Sequence, residues 1–564
     1  MKLNKTIILV LFLVLFQAVK GQKTGISSGR NYQGFSTGFK KYFTLDDVML
    51  VVNFYRENII LQTFSLDSLT LIKSKNFQGF PKNVQVEDVL KFNNRIYLFY
   101  SSLIDNDTII EEKLYMKEIN VDSCSFEKTK LLMTVKGNVT AILSKHDFVD
   151  NFDFSSTLDQ DRFVVQYKKK KKELIANVAI GYKVFDRDFN LVSEKEIEMP
   201  YSGLQIENVD FAIDSQHNIY LASYVYRNKK SRKNGDKYGP MFKITASGAI
   251  NYDIEIFKIG TTTGIYSKSK IELDSGYHIN SFKFFPISNE QLIVAGYSSV
   301  VGRLSKFNEP SWIFKFNILD SIRKIDTLSI PTEIVHQNLK QSEVNFNNSM
   351  LRRYGSKWKP SIKKLIPEYL ILDKDGGMIL IGEQQTPIFR NYVIPLPIPG
   401  GAVFTSTISE HMLYNDVLIS KFNADGTNAW IKKLAKRQET TNRVDFLGLR
   451  RRGLSFKLHE GDGEIYIFFV DQLKNLTLPS NKTPAELNDD GNHGYLMAHK
   501  INTTSGKINK AALFDVEKIQ NKQTNKFNIF NSTSFGKYEV VFEVFTKPMT
   551  KGTETGSLTR VNLK

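Results

Sequence analysis

The sequence has a single cysteine, Cys124, so no internal disulfide can form and apolar burial must hold the fold. Cys124 sits in a turn, Asp122–Ser125, with no histidine near it in sequence, and reads as a tolerated free thiol. There is no C-x-x-C and no H-E-x-x-H. The eight histidines, His146, His217, His278, His336, His411, His459, His493 and His499, lack metal-ligand spacing. No metal and no cofactor is expected. A run of about 20 apolar residues, the length needed to cross a bilayer, is also missing. The longest run, Ile7–Phe16, follows Lys2 and Lys5 and precedes small residues at Val19 and Gly21. That pattern predicts a secretory leader over residues 1–21, cleaved before Gln22, with no cysteine behind it to carry a lipid. Export to the periplasm or outer membrane is expected, with the extracellular space as the alternative.

Catalytic signatures are equally scarce. Gly25-Ile-Ser-Ser-Gly29 fits G-x-S-x-G, but it lies in the N-terminal tail and not on a strand-to-helix elbow. Asp373-Lys-Asp-Gly376 and His459-Glu-Gly-Asp-Gly463 could suggest calcium, yet Asp-Gly is what a tight turn needs. Asn423–Trp430 approaches a sialidase-type Asp box, but Asp425 and Gly426 are adjacent where that box spaces them by one, so it reads as a turn with a packing tryptophan. Asp210 and Glu368 fall at or beside inner strands and are the candidate channel carboxylates; each reads first as a solvated or hydrogen-bonded strand-end acid.

What is present is a repeat. An apolar strand, a short polar turn and a second apolar strand recur at Leu61–Lys73, Tyr115–Leu132, Tyr182–Ile197, Phe242–Ile254, Ile313–Ile325, Ile419–Lys432 and Met497–Leu513. A different strand pair precedes each copy: Tyr42–Phe54, Val89–Tyr100, Phe152–Tyr167, Val209–Tyr224, Phe282–Tyr297, Tyr369–Gly382 and Phe456–Phe469, with an eighth at Phe527–Val544. Asn, Asp and Gly in their turns supply the positive φ that tight hairpins require. Such an array predicts an all-β chain folded as an eight-bladed β-propeller, with seven blades as the alternative. Residues 22–564 are expected to form this one domain. Ser557–Leu563 is a strand without a following partner, so Gln22–Ser36 is expected to pair beside it and close the ring.

The unit Ile419-Ser-Lys-Phe-Asn-Ala-Asp-Gly-Thr-Asn-Ala-Trp-Ile-Lys-Lys resembles the propeller repeat common in secreted bacterial proteins, in which a strand turns through Asn-Gly or Asp-Gly and resumes with an aromatic. The resemblance implies the fold and carries no functional site.

Long insertions fall only in the connections between second and third strands and between blades, so one face of the ring should be elaborated and the other plain. Four insertions, Lys168–Glu173, Arg227–Tyr238, Leu351–Lys364 and Ala435–Gly453, together hold more positive charge than the whole chain's net +17. Their cations, Lys168, Lys169, Lys170, Lys230, Arg232, Lys233, Arg352, Arg353, Arg450, Arg451 and Arg452, are the expected partner-binding residues. A fifth insertion carries the Pro-rich stretch Tyr392–Phe404, an extended apolar loop in which Tyr392, Ile394, Leu396 and Ile398 would meet a partner. Trp358 would either stack on a partner or sugar, or pin its own loop. These features lead to the expectation of a non-catalytic envelope scaffold. It would be monomeric by itself and would dock an envelope protein or anionic polymer, an outer-membrane assembly among them, with no nucleic-acid partner. The alternative is a carbohydrate-active enzyme or lectin using the channel mouth.

Overall fold

The computed structural model describes residues 25–564 apart from 36–38, 56–57, 79–83, 106–108, 144–150, 170–175, 228–250, 272–276, 301–309, 321–323, 356–357, 399–400, 441–452, 489–492, 520–521, 524–526 and 547–553. It is an eight-bladed propeller. Each blade is an antiparallel sheet of four principal strands, in chain order in the first seven. The inner strands are Phe39–Leu45, Val84–Phe92, Asp153–Ser156, Ile206–Ile213, Tyr277–Ser288, Leu365–Leu372, Lys457–Glu460 and Ser532–Phe535. In each blade the second strand is the most apolar, as in Ile219–Tyr226 and Ile465–Val470, because neighbouring blades cover both of its faces.

Eight hydrophobic clusters are formed by the described residues, one at each blade interface. Leu50 and Leu61 of blade one meet Val89 and Ile96 of blade two. Phe99 of blade two stacks on Phe163 of blade three at 5.3 Å between ring centroids, and Phe92 packs tilted against Phe163 at 5.1 Å. The series continues to Phe468 of blade seven against Phe542 of blade eight. The core is therefore a ring of equivalent joints, which suits a chain with no disulfide. Cys124 is buried, with its Sγ 3.4 Å from the Leu61 carbonyl, in a turn where it adopts φ 52°. Burial pushes its thiol pKa up, away from reactivity.

The last joint closes as the sequence predicts. The strand Thr555–Asn562 is third in blade eight, and its outer neighbour is N-terminal: Ile26 pairs with Val561 and Tyr32 with Gly556. The G-x-S-x-G match thus lies on an outer strand, where no nucleophile elbow can form. The seam is held at Glu543 on the second strand of blade eight. Glu543 accepts hydrogen bonds from Tyr32 Oη at 2.6 Å, from Lys40 Nζ at 2.6 Å and from Tyr42 Oη. Lys40 and Glu543 are buried, and Lys40 also lies 4.2 Å from the Phe545 ring centroid.

Three details differ from the sequence reading. In blade four the third and fourth strands are Tyr252–Gly260 and Tyr266–Lys270, joined at Thr261–Gly264. The repeat expected at Phe242–Ile254 thus falls one strand too early, and most of it lies outside the described residues. In blade six the Pro-rich insertion is not a loop but a ribbon: Met378–Ile398 pairs with Gly401–Phe422 in register through Tyr392↔Thr407, Ile394↔Thr405, Leu396↔Val403 and Ile398↔Gly401. Pro387, Pro395 and Pro397 occupy positions of one parity, so their missing N–H groups can all face the open edge of a two-stranded ribbon. The crossover from blade five to blade six is partly helical, with α1 at Thr332–His336 and α2 at Gln341–Tyr354.

Removing one partner of a buried pair strands the other charge. Glu543→Ala should therefore lower the unfolding free energy by about 3–5 kcal/mol. Tyr32→Phe, which removes one hydrogen bond to a charged acceptor, should cost about 1.5–3 kcal/mol. Urea denaturation of the two variants beside the parent checks both values.

Candidate functional site

In every blade the start of the inner strand and the end of the second strand lie toward the elaborated face, because that face carries the crossovers. The inner strands are irregular there. In four blades an extra residue is inserted into the pairing between inner and second strands: Glu87, Val209, Asn280 and Glu368. A β-bulge of this kind bends the strand and re-aims the side chains beside it. All four are near the same mouth of the axial channel.

Polar groups around this mouth join each blade to the next. Lys41 pairs with Asp88 at 2.8 Å between blades one and two. Glu87 accepts the backbone N–H groups of Asn151 and Phe152 at 2.9 and 3.3 Å between blades two and three. Asn208 Nδ2 donates to the Ile142 carbonyl at 3.5 Å. Asp210 accepts the N–H of Phe284 at 2.8 Å. Lys283 pairs with Glu368 at 3.3 Å, Ser455 Oγ donates to Glu383 at 2.6 Å, and Lys457 Nζ donates to the Ser532 carbonyl at 2.6 Å. The eighth joint is Lys40–Glu543.

Two of these joints are partly open to solvent. The side chains of Lys41 and Asp88 are 32% and 29% exposed, and Lys283 is 38% exposed beside Glu368 at 10%. In an eight-membered ring the joint between blades one and two lies opposite that between blades five and six. Two ammonium–carboxylate pairs therefore stand on opposite sides of the ring.

Behind Glu368 the polar chain runs inward. Gln385 Nε2 donates to Glu368 at 2.7 Å and to Glu383 at 3.0 Å. Glu383 is buried and ion-paired at 2.7 Å with buried Lys436, which also donates to the Tyr414 carbonyl and to Gln438. Desolvation pulls the Lys436 pKa below the lysine range, against the pull of Glu383. Nearby Asp471 is raised to about 6 by burial, although Asn475 and the Gln472 N–H hydrogen-bond it.

The structure places the expected residues unevenly. Asp210 and Glu368 do lie at the mouth, each already hydrogen-bonded. Lys169 is paired with Glu196 at 2.7 Å. Arg352 and Arg353 are exposed in the last turn of α2, where they complement the helix dipole. Trp358 is buried and packs edge-on against Phe346, so it pins its loop. Lys170, Lys230, Arg232, Lys233, Arg450, Arg451 and Arg452 lie outside the described residues. Tyr392, Ile394, Leu396 and Ile398 lie in the ribbon of blade six. In the Asp373–Gly376 turn the Lys421 ammonium contacts both Asp373 and Asp375. A lysine thus holds the position that a calcium ion would need. Among the described residues no group of three acidic, histidine or cysteine side chains could hold a metal. A cleft of about 190 Å³ between blades four and five opens on the plain face, far from the mouth, and its Asp214 is committed to the turn, accepting from Asn218 N at 2.7 Å and Tyr220 Oη at 3.1 Å.

No family model matches the chain, and no curated protein matches it. Solved structures do resemble it. A prolyl endopeptidase, studied for inter-domain dynamics in catalysis and specificity, is 9% identical with a TM-score of 0.35, over 90% of this chain and 54% of its own. Prolyl oligopeptidase B from Galerina marginata, bound to a 35mer hydrolysis and macrocyclization substrate, is 8% identical with a TM-score of 0.38, over 93% and 55%. A Synechocystis apocarotenoid oxygenase is 11% identical with a TM-score of 0.29, over 68% and 69%. The chain spans about half the length of the two peptidases. At these identities the likeness is one of architecture and assigns no activity.

The expectation of a non-catalytic scaffold that docks an anionic partner is corrected by these findings. A propeller ring hosts many unrelated functions, so neither the fold nor a lack of familiar motifs is ground for calling the chain non-catalytic. The charge argument weakens too. Described cations of the elaborated face such as Lys169 and Arg227 are matched by carboxylates, Arg227 with Asp253 at 2.6 Å, and the mouth itself is lined by neutral pairs.

Lys457 yields a pH test of the joints. Burial lowers its pKa to about 8, below the unfolded value near 10.5. Between those values the unfolded chain binds more protons than the folded one, so stability rises with pH. The parent should gain up to ~1.4 kcal/mol per pH unit from this group between pH 8 and 10. Lys457→Met should lose that gain, as measured by denaturation at pH 7.5, 8.5 and 9.5.

Proposed function

We propose that the axial mouth on the elaborated face is the ligand site of this protein, and that its ligand is electrically neutral and rich in hydrogen-bonding groups. The observation that carries this reading is the pair of half-open ion pairs, Lys41–Asp88 and Lys283–Glu368, on opposite sides of a mouth whose inner strands are bulged. Each pair offers a donor and an acceptor side by side with no net charge. Such a lining favours a ligand that both donates and accepts over one carrying charge of a single sign. Asp88 and Glu368 also provide the acid–base groups that a hydrolytic step would use. The apolar run Ile7–Phe16 behind Lys2 and Lys5 supports export as the setting in which the site works. Because the joints are complete within one ring, the reading is that of a monomer.

The test is binding of the chain from Gln22, which holds every described strand, to a panel of neutral oligosaccharides and uncharged peptides. Calorimetry reads affinity, and mass spectrometry of the incubated panel reads turnover. Glu368→Gln and Asp88→Asn should each weaken binding about tenfold or more and abolish any turnover. Binding that survives both substitutions unchanged, or that follows salt as an anion would, contradicts the proposal.

A further inference from the structure

A cation recurs at the plain-face end of the third strand. Lys183, Lys258, Lys315, Lys500 and Arg560 each stand two residues before the end of that strand, in blades three, four, five, seven and eight. All but Lys258 are matched by a carboxylate of their own blade. Lys315 pairs with Asp326 at 2.7 Å and Lys183 pairs with Glu194, and both acids lie directly opposite on the outer strand. Lys500 pairs with Glu464 at 2.8 Å and Arg560 with Glu539 at 3.6 Å, and both acids open the second strand. In blade four both of these positions are neutral. Ser267 stands opposite Lys258 on the outer strand, and Asn218 opens the second strand. Among the described residues Lys258 makes no ion pair; its ammonium lies 5.6 Å from the centroid of the Tyr220 ring.

This unmatched cation lines the cleft of about 190 Å³ between blades four and five. One water needs about 10–15 Å³, so the cleft holds something larger. Buried Ile256 and Ile318 and exposed Gln216 and Asn289 line it as well. Asp214 is the one carboxylate in the lining, and it already accepts from Asn218 N, Asn218 Nδ2 and Tyr220 Oη. We propose that this cleft binds a small hydroxylated carboxylate, of the size of a single uronic acid. Its carboxylate takes the place beside Lys258 that a protein acid fills in the sister blades, through a charge-assisted hydrogen bond. Its hydroxyls meet Ser267 and the amides of Gln216 and Asn289, and its C–H face meets the isoleucines. One ammonium calls for one carboxylate and gives a polyanion no further hold. The site lies on the face opposite the mouth and does not depend on the mouth's being a ligand site.

Calorimetric titration of the chain from Gln22 with D-glucuronate should show one saturable site whose affinity falls as salt rises. D-glucose, which lacks the carboxylate, should bind about tenfold more weakly or worse. Lys258→Met should weaken glucuronate binding by a similar factor. Ser267→Asp should do the same with the lysine kept, because it rebuilds the ion pair of blades three and five. Circular dichroism of each variant checks folding. Absence of saturable glucuronate binding to the parent overturns the proposal. So does equal affinity for glucose, or glucuronate binding that persists in the two folded variants. Both variants should leave ligand binding at the mouth intact, so the two readings fail separately.

Discussion

The contacts of Glu543 are what the rest of the ring depends on. A propeller needs every blade covered on both sides, and seven joints can form between blades consecutive in the chain. The eighth must bring together residues about 500 positions apart, at a cost in chain entropy that local joints do not carry. Tyr32, Lys40 and Tyr42 supply three donors to one buried carboxylate, and the outer strand Ile26–Ser28 adds backbone pairing. A buried carboxylate tolerates no substitute arrangement, because any register that leaves it unpaired is heavily penalised. The seam therefore specifies a closed ring of eight blades over a ring with one edge open.

The same logic is repeated, in weaker form, around the axis. Apolar clusters supply the bulk of each joint, while one or two polar contacts near the mouth orient the inner strands. Of the three joints whose polar partners are side chains of both signs, Lys41–Asp88 and Lys283–Glu368 remain partly in water, whereas Lys40–Glu543 is buried. Where they are backbone groups, as for Asp210 and Phe284, they are consumed by the joint. Structure and candidate site are thus built from one set of positions, and the distinction between them is solvent access.

Strand order and blade number were legible because alternation and turn chemistry are local signals. The closing pair was legible as well, since Ser557–Leu563 was left without a neighbour. The mouth was not. No one residue type is common to Glu87, Val209, Asn280 and Glu368, and a bulge leaves no mark in the sequence when its extra residue is ordinary. Nor can the pairing of Lys283 with Glu368, 85 positions apart, be read from spacing. Runs of lysine and arginine drew attention to the insertions, yet Lys169 and Arg227 show that such cations can be matched by carboxylates from neighbouring strands. In the sequence the prolines of the blade-six ribbon read as an extended loop; their shared parity is equally compatible with a strand pair.

Hydrogen exchange at the seam tests the central claim most directly. If closure at Glu543 makes the ring one cooperative unit, the amides of Thr555–Asn562 and of Ile26–Ser28 should open only with the inner strands, at the same free energy. Exchange of the seam amides at a much lower free energy, while blades two to seven stay protected, would show that the ring holds without its closure.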